Sequence, residues 1–158
     1  MRILVTGIIG FTGRHLQSEL EAHGHTVIGL QSDLTDQQAV AAEVAEIKPE
    51  AVAHLAGVAF VGHGAAKAFY EVNLIGTHNL LEALAQHAPE VRSILLASSA
   101  NVYGNRSEGV LTEESTPDPV NDYAVSKLAM EHMARLWLAK LPLFIVYRCR
   151  AGREVFDP

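Results

Sequence analysis

The chain has 158 residues, 49% of them hydrophobic, and a formal net charge of −6: enough length for one domain with a real core, and no electrostatic support for binding nucleic acid. Cys149 is the only cysteine, which excludes a disulfide framework within the chain and suits a reducing cytoplasm. No apolar run is long enough to cross a bilayer, Arg2 leads at once into a strand rather than a signal peptide, and the histidines form no spaced set with Cys149, so a cytoplasmic protein without membrane or metal partners is expected.

In chain order, the first strand is expected at 2–6, around Ile3, Leu4 and Val5. It runs into T-G-I-I-G-F-T-G at 6–13, a glycine-rich turn between a strand and a helix. Gly7 permits the tight turn, Gly10 lets the backbone approach a pyrophosphate, and Gly13 allows close helix packing. The N–H groups opening the next helix would face the same phosphate. That helix is expected at 13–23, with Leu16 and Leu20 four apart. A strand at 26–30 follows, then a helix at 36–47 carrying Val40, Val44 and Ile47, with Thr35 or Asp36 as its N-cap. Next come a strand at 51–55, a helix at 66–87 with Leu74, Thr77, Leu81 and Leu84 on one stripe, and a strand at 93–98. An irregular stretch at 104–121 precedes a helix at 122–141, carrying Val125, Ala129, Met133 and Leu136, and a last strand at 143–147. The strands are short, nearly continuous in Val, Ile and Leu, and alternate with helices. The expected class is α/β, a doubly wound parallel sheet.

Tyr123 and Lys127 open the last helix as Y-A-V-S-K, four apart and so on one face. An ammonium beside a phenol favours the phenolate, which suits proton exchange with a sugar hydroxyl or ketone. Ser99 follows the 93–98 strand at the carboxyl edge of the sheet, where ligands of open α/β sheets bind.

Several ordered motifs carry a family resemblance: V-T-G-I-I-G-F-T-G-R-H-L at 5–16, H-L-A-G at 54–57, N-L-I-G-T-H-N-L-L-E-A at 73–83, S-S-A-N-V-Y-G at 98–104 and Y-A-V-S-K at 123–127. From Met1 to about Arg148 the chain resembles the extended short-chain dehydrogenase/reductases, which include nucleotide-sugar epimerases, dehydratases and reductases. The resemblance implies a Rossmann domain at 1–148 and a divergent tail at 149–158. It makes Tyr123 the acid/base, Lys127 its helper and the holder of the nicotinamide ribose, Ser99 the partner of the reacting oxygen, and Asn73 a support of the active site. Gly7, Ile9, Gly10, Phe11, Thr12, Gly13 and Arg14 would surround the phosphates. Gln31, Asp33 and Leu34 would meet the adenosine, and Leu55, Ala56, Gly57, Ala97 and Ser98 would line the remaining cofactor beside Asn73, Tyr123 and Lys127. His54 is read as a core histidine without assigned chemistry.

An acidic residue closing the second strand would grip both ribose hydroxyls of NAD. Gln31 and Ser32 stand there instead, and Arg14 could pair with a 2′-phosphate, so NADP(H) is favoured and NAD(H) stays open. Asp33-Leu34-Thr35-Asp36 matches the family's D-L-x-D turn but arrives early, so the family's third strand is expected to be short or absent, and Asp33 is an alternative ribose acid. Family dehydratases carry Asp-Glu after the serine, where this chain has Ala100 and Asn101, which disfavours elimination. The chain is most similar to the GDP-6-deoxy-4-keto-mannose reductases, which implies hydride transfer at C4 of a nucleotide-linked hexose. A 4-epimerase, using the same triad, is the alternative, and a truncated non-catalytic dinucleotide-binding module a third reading. The resemblance also implies a homodimer through a helix bundle built from 66–87 and 122–141. The chain departs from the family in its short length and in Ala151, which stands three residues after Arg148 where an asparagine is expected.

Overall fold

The computed structural model describes residues 1–59, 66–104, 111–112, 114–141 and 145–147, the last of these by backbone alone. Arg148, the tail at 149–158 and the start of the expected last strand at 143–144 lie outside the described residues. Strands β1 (Arg2–Thr6), β2 (Thr26–Gly29), β3 (Ala51–His54), β4 (Ser93–Ala97) and β5 (Ile145–Tyr147) form one parallel sheet in the order β2-β1-β3-β4-β5. Parallel strands need apolar residues on both faces, and β1 supplies them: Ile3, Leu4 and Val5 are all buried. Leu4 joins a large core with Val40, Val44, Leu80, Leu84, Ile94 and Met130, whereas Ile3 and Val5 point to the opposite face, against Leu16 and Leu20.

The helices sort onto those two faces. Helix α1 (Phe11–Ala22) covers the Ile3 and Val5 side, and α2 (Gln37–Ile47), α4 (Thr77–His87) and α5 (Asp122–Arg135) cover the Leu4 side. Right-handed crossovers produce this sorting, because β1 to β2 runs in one direction along the sheet and every later connection runs in the other. The reversal falls between β1 and β3, and a crevice opens outside their carboxyl ends.

Three elements depart from the sequence expectation by more than one residue. Helix α1 begins at Phe11, two residues before the expected 13, so its N-terminus meets the glycine turn directly. The 66–87 segment is a helical run in three parts: α3 (Ala66–Tyr70), a π-helical stretch at Glu71–Gly76, and α4. The π stretch holds Gly76 so close to Leu34 that a β-carbon there would lie 2.8 Å from Leu34 Cβ. Helix α5 stops at Arg135, and the chain continues in turns through 141, with Leu136 N–H bonded to Met133 O and Trp137 N–H to Ala134 O. Residues 30–36 contain no strand, in line with a short or absent family third strand; Asp36 caps α2 by accepting from Ala39 N–H at 3.0 Å. Ala100–Tyr103 forms a 3₁₀ turn whose N-cap is Ser99.

Candidate cofactor and catalytic site

The glycine turn sits at the mouth of the crevice. Gly7 has φ +71°, a left-handed conformation that side chains rarely adopt, and a β-carbon on it would lie 2.8 Å from Ala56 N. Gly13 is tighter still: a β-carbon there would fall 2.3 Å from Gly7 O. Gly13 thus lets the first turn of α1 press against the turn's own backbone. No side chain caps the α1 N-terminus, where Gly10 is the N-cap. The N–H groups at that end and its positive dipole face the crevice opening without an internal acceptor, as an anion such as a pyrophosphate requires. Ile9 and Phe11 are largely exposed beside it, and Arg14 turns back to donate from Nε to Ile9 O at 2.8 Å.

Deeper in the crevice the polar groups are buried and engaged with one another. Ala56 N–H donates to Thr6 Oγ1 at 3.1 Å, and Thr6 Oγ1 lies 2.6 Å from His54 Nδ1. His54 Nε2 lies 2.9 Å from Thr77 Oγ1, which donates to Asn73 O at 2.7 Å. Thr77 uses its only hydrogen on Asn73, so His54 donates from Nε2 and accepts at Nδ1; the network assigns this tautomer. Burial, and then the Lys127 charge, push the His54 pKa down to about 3, so the ring is neutral.

The Asn73 side chain brackets Val58, accepting from its N–H at 2.9 Å and donating to its carbonyl at 3.0 Å. Its Nδ2 also donates to Ser126 Oγ at 3.0 Å, and Ser126 donates to Tyr123 O at 2.7 Å. One directional chain therefore ties the residues after β3 to the helix bearing Tyr123. Lys127, one turn beyond Tyr123, is 5% exposed. Its Nζ donates to Ala97 O at 3.0 Å and would lie 3.0 Å from a β-carbon placed on Gly57. Burial alone lowers its pKa to about 8.

Tyr123 is half-buried in the first turn of α5, where Asn121 caps the helix by accepting from Ala124 N–H at 2.8 Å. Its ring leans on Phe69 with centroids 5.9 Å apart, and Tyr70 donates to Asp122 at 2.7 Å, binding α3 to the same helix end. Ser99 sits just past β4 and accepts from Asn101 N–H at 3.2 Å. The structure thus brings Asn73, Lys127, Gly57 and Ala97 into one cluster, and places Tyr123 and Ser99 at the ends of the two elements that the Lys127 bond joins.

The loop after β2, where the adenosine is expected, is largely exposed apart from Leu34. Leu30 N–H stays paired with Val5 O at 3.1 Å, and Gly29 lies against Ile8, so the loop starts beside the glycine turn. Gln31 turns its amide back to Gly29 O at 2.9 Å. Asp33 Oδ1 accepts from Thr35 N–H and Thr35 Oγ1, both at 2.8 Å, and these bonds hold its pKa below the ordinary carboxylate value. Leu34 is buried, and its carbonyl accepts from Asn79 at 2.9 Å. Sequence reading missed Thr6, Thr77, Ser126, Asn79 and Glu43. Thr6, Thr77, Asn79 and Ser126 lie inside the quoted motifs but drew no role there, and Glu43 had no such signal. The Ser98 hydroxyl lies 2.5 Å from the buried Glu131 carboxylate.

A profile of the NAD dependent epimerase/dehydratase family matches residues 3–147. The chain is 37% identical over 164 aligned positions to a GDP-6-deoxy-D-talose 4-dehydrogenase of Aggregatibacter actinomycetemcomitans, covering 100% of this chain and 52% of that protein. It is 40% identical to a GDP-6-deoxy-D-mannose reductase of Pseudomonas aeruginosa, covering 86% of this chain and 47% of that protein. Among solved structures, a Thermus thermophilus UDP-glucose 4-epimerase in complex with NAD superposes with a TM-score of 0.82 at 31% identity, over 94% of this chain and 54% of the other. RMD from Pseudomonas aeruginosa complexed with NADPH gives a TM-score of 0.80 at 36% identity, over 93% and 52%. The chain spans about half the length of the curated relatives it matches.

Proposed function

The chain belongs to the NAD dependent epimerase/dehydratase family, and from that premise we propose that it is an NAD(P)-dependent nucleotide-sugar oxidoreductase that reduces a 4-keto-6-deoxy hexose, with Tyr123 as acid/base. The observation that carries this reading is the buried Lys127, held by Ala97 O beside Asn73 and Gly57, one helical turn from Tyr123. No acidic side chain neutralises its ammonium among the bonds described for it, so its positive charge is available to the ribose and to the phenol.

The residues present fit a dinucleotide. The uncapped α1 N-terminus and the backbone of Gly7, Ile9, Gly10, Phe11, Thr12 and Gly13 would hold the pyrophosphate, residues 31–34 the adenosine, and Leu55, Ala56, Gly57, Ala97 and Ser98 the inner portion. When bound, the nicotinamide supplies the hydride. Tyr123 gives its hydroxyl proton to the C4 oxygen of the sugar and is reprotonated from solvent, Ser99 donates a hydrogen bond to the same oxygen, and Lys127 favours the transient phenolate. Asn73 holds residue 58 against α5.

The names of the two curated relatives, a 4-dehydrogenase and a reductase of GDP-linked 6-deoxy sugars, support the C4 reaction. Similarity to a UDP-glucose 4-epimerase supports the alternative in which the hydride returns to the opposite face of C4. A third reading is a dinucleotide-binding module without turnover. Tyr123→Phe separates catalysis from binding: turnover of a GDP-4-keto-6-deoxy hexose with NADPH or NADH falls about a hundredfold or more while dinucleotide affinity is kept. Equal turnover in the variant would refute the mechanism, and dinucleotide binding without turnover in the parent chain would favour the module. The reading places the protein in the cytoplasm as a homodimer. Exposed apolar side chains on the two helical runs, Ile75, Val125 and Leu136, support self-association, which sedimentation equilibrium would measure.

A further inference from the structure

We propose that Glu43 sets the cofactor preference of this chain: its carboxylate fills the backbone nest that a 2′-phosphate would need, so the site selects NAD(H) over NADP(H). The inference rests on the dinucleotide reading above. In a strand–glycine turn–helix–strand unit, the ribose of the adenosine lies at the carboxyl end of the second strand, about 20 residues after the glycines. Here that place is Gln31 and Ser32, kept beside the glycine turn by the Leu30–Val5 bond.

Three donors converge there, and one anion already holds them all. Gln31 N–H donates to Glu43 Oε1 at 2.8 Å, Ser32 N–H to Oε2 at 2.8 Å, and Ser32 Oγ to Oε2 at 2.5 Å. Successive N–H groups with a serine hydroxyl make an anion-binding concavity. These bonds outweigh partial burial and keep the Glu43 pKa below its ordinary value, so the group is an anion at neutral pH. The charge comes from α2, eleven and twelve positions further along the chain.

The remaining charges nearby do not favour a phosphate. Asp33 adds a second carboxylate to the same loop, with one oxygen engaged by Thr35. Gln31 has turned its amide onto Gly29 O. Arg14, the cation that could answer a phosphate, has its Nε–H turned onto Ile9 O, which leaves only its terminal N–H groups for an anion. A 2′-phosphate would have to displace Glu43 from its donors and then lie against it. A ribose hydroxyl meets no such conflict and can donate to the carboxylate. The inference reverses the preference suggested by the uncharged Gln31 and Ser32 alone.

The test is a fluorescence titration of the full chain, and of Glu43→Gln and Glu43→Ala, with NADH and with NADPH, each variant checked by its thermal melt. Glu43→Gln preserves size and one acceptor, so the loop keeps its shape while the charge is lost. The expected result is about tenfold or greater preference for NADH in the parent, from the lost charged hydrogen bonds, and a ratio reduced about fivefold or more in both variants through a gain in NADPH affinity. NADH binding with a ratio unmoved by either substitution, or a parent that prefers NADPH, overturns the proposal and leaves the dinucleotide site standing. A parent that binds neither dinucleotide overturns the site and the proposal together.

Discussion

At the inner end of the crevice, Thr6, His54, Thr77, Asn73 and Ser126 are buried and form one continuous hydrogen-bonded chain. At the outer end, an exposed loop after β2 takes its shape from two side chains on helices, Glu43 and Asn79. The inner chain has a single arrangement, because each hydroxyl has one hydrogen and the neutral imidazole one donor. The outer loop is held by bonds that water or a ligand can replace. Inner substitutions should therefore cost stability and function together, and outer ones should shift ligand preference at little structural cost.

His54→Ala should produce the largest effect, a loss of about 3 kcal/mol or more in denaturant unfolding, since it opens a cavity and strands Thr6 and Thr77. The same residue gives a pH signature. The unfolded histidine takes a proton near its ordinary 6.5, whereas the folded one resists until about 3. Stability contributed by keeping the ring neutral is thus fully present above 6.5 and declines as pH falls from there toward 3. The variant should lose that part of the acid slope; an unchanged slope would mean that His54 is not the buried neutral group described.

Gly13→Ala comes next. Its methyl would collide with backbone, which cannot step aside as a side chain can, and dinucleotide affinity should fall more than about tenfold alongside a loss of about 1–3 kcal/mol in unfolding stability. Titration of the variant with normal affinity would show that the turn relaxes.

Lys127→Met probes a buried charge of the inner end. Because the folded lysine loses its proton near 8 and the unfolded one near 10.5, the unfolded chain holds more protons between those values, and the parent should gain stability as pH rises through that window. The methionine variant should lack this gain and match or exceed the parent below pH 8 by about 1–2 kcal/mol, with turnover abolished. Asn79→Ala, at the outer end, is the smallest: about 1 kcal/mol of stability and a few-fold loss in binding of the adenosine portion, measured with ADP. A larger stability loss than at His54 would invert the comparison.

What could be read from the sequence was what lies close together in it. The glycine turn, the Asp36 cap and the Tyr123–Lys127 pair each sit within a few positions, so spacing alone specifies their geometry. The strand–helix alternation likewise fixed the doubly wound class. The His54–Thr77 and Asn73–Ser126 bonds span 23 and 53 positions, and no local pattern reveals them. His54, read as a core histidine, is buried and fully partnered, but its role as the centre of the chain needed the tertiary fold. The π-helical stretch was hidden because its composition is that of an ordinary helix. At the outer end, Gln31 and Ser32 looked uncharged because the carboxylate that faces them belongs to the next helix.

The helical run from Glu71 to His87 touches both ends: Asn73 grips Val58, Thr77 meets His54, Gly76 lies on Leu34 and Asn79 holds its carbonyl. These contacts make the run a calliper. Its pitch, not the floppiness of any loop, fixes the separation between the jaws. Winding the same residues as an α-helix would turn the later contacts away from their present direction relative to Asn73, so the jaws could no longer close on both loops at once.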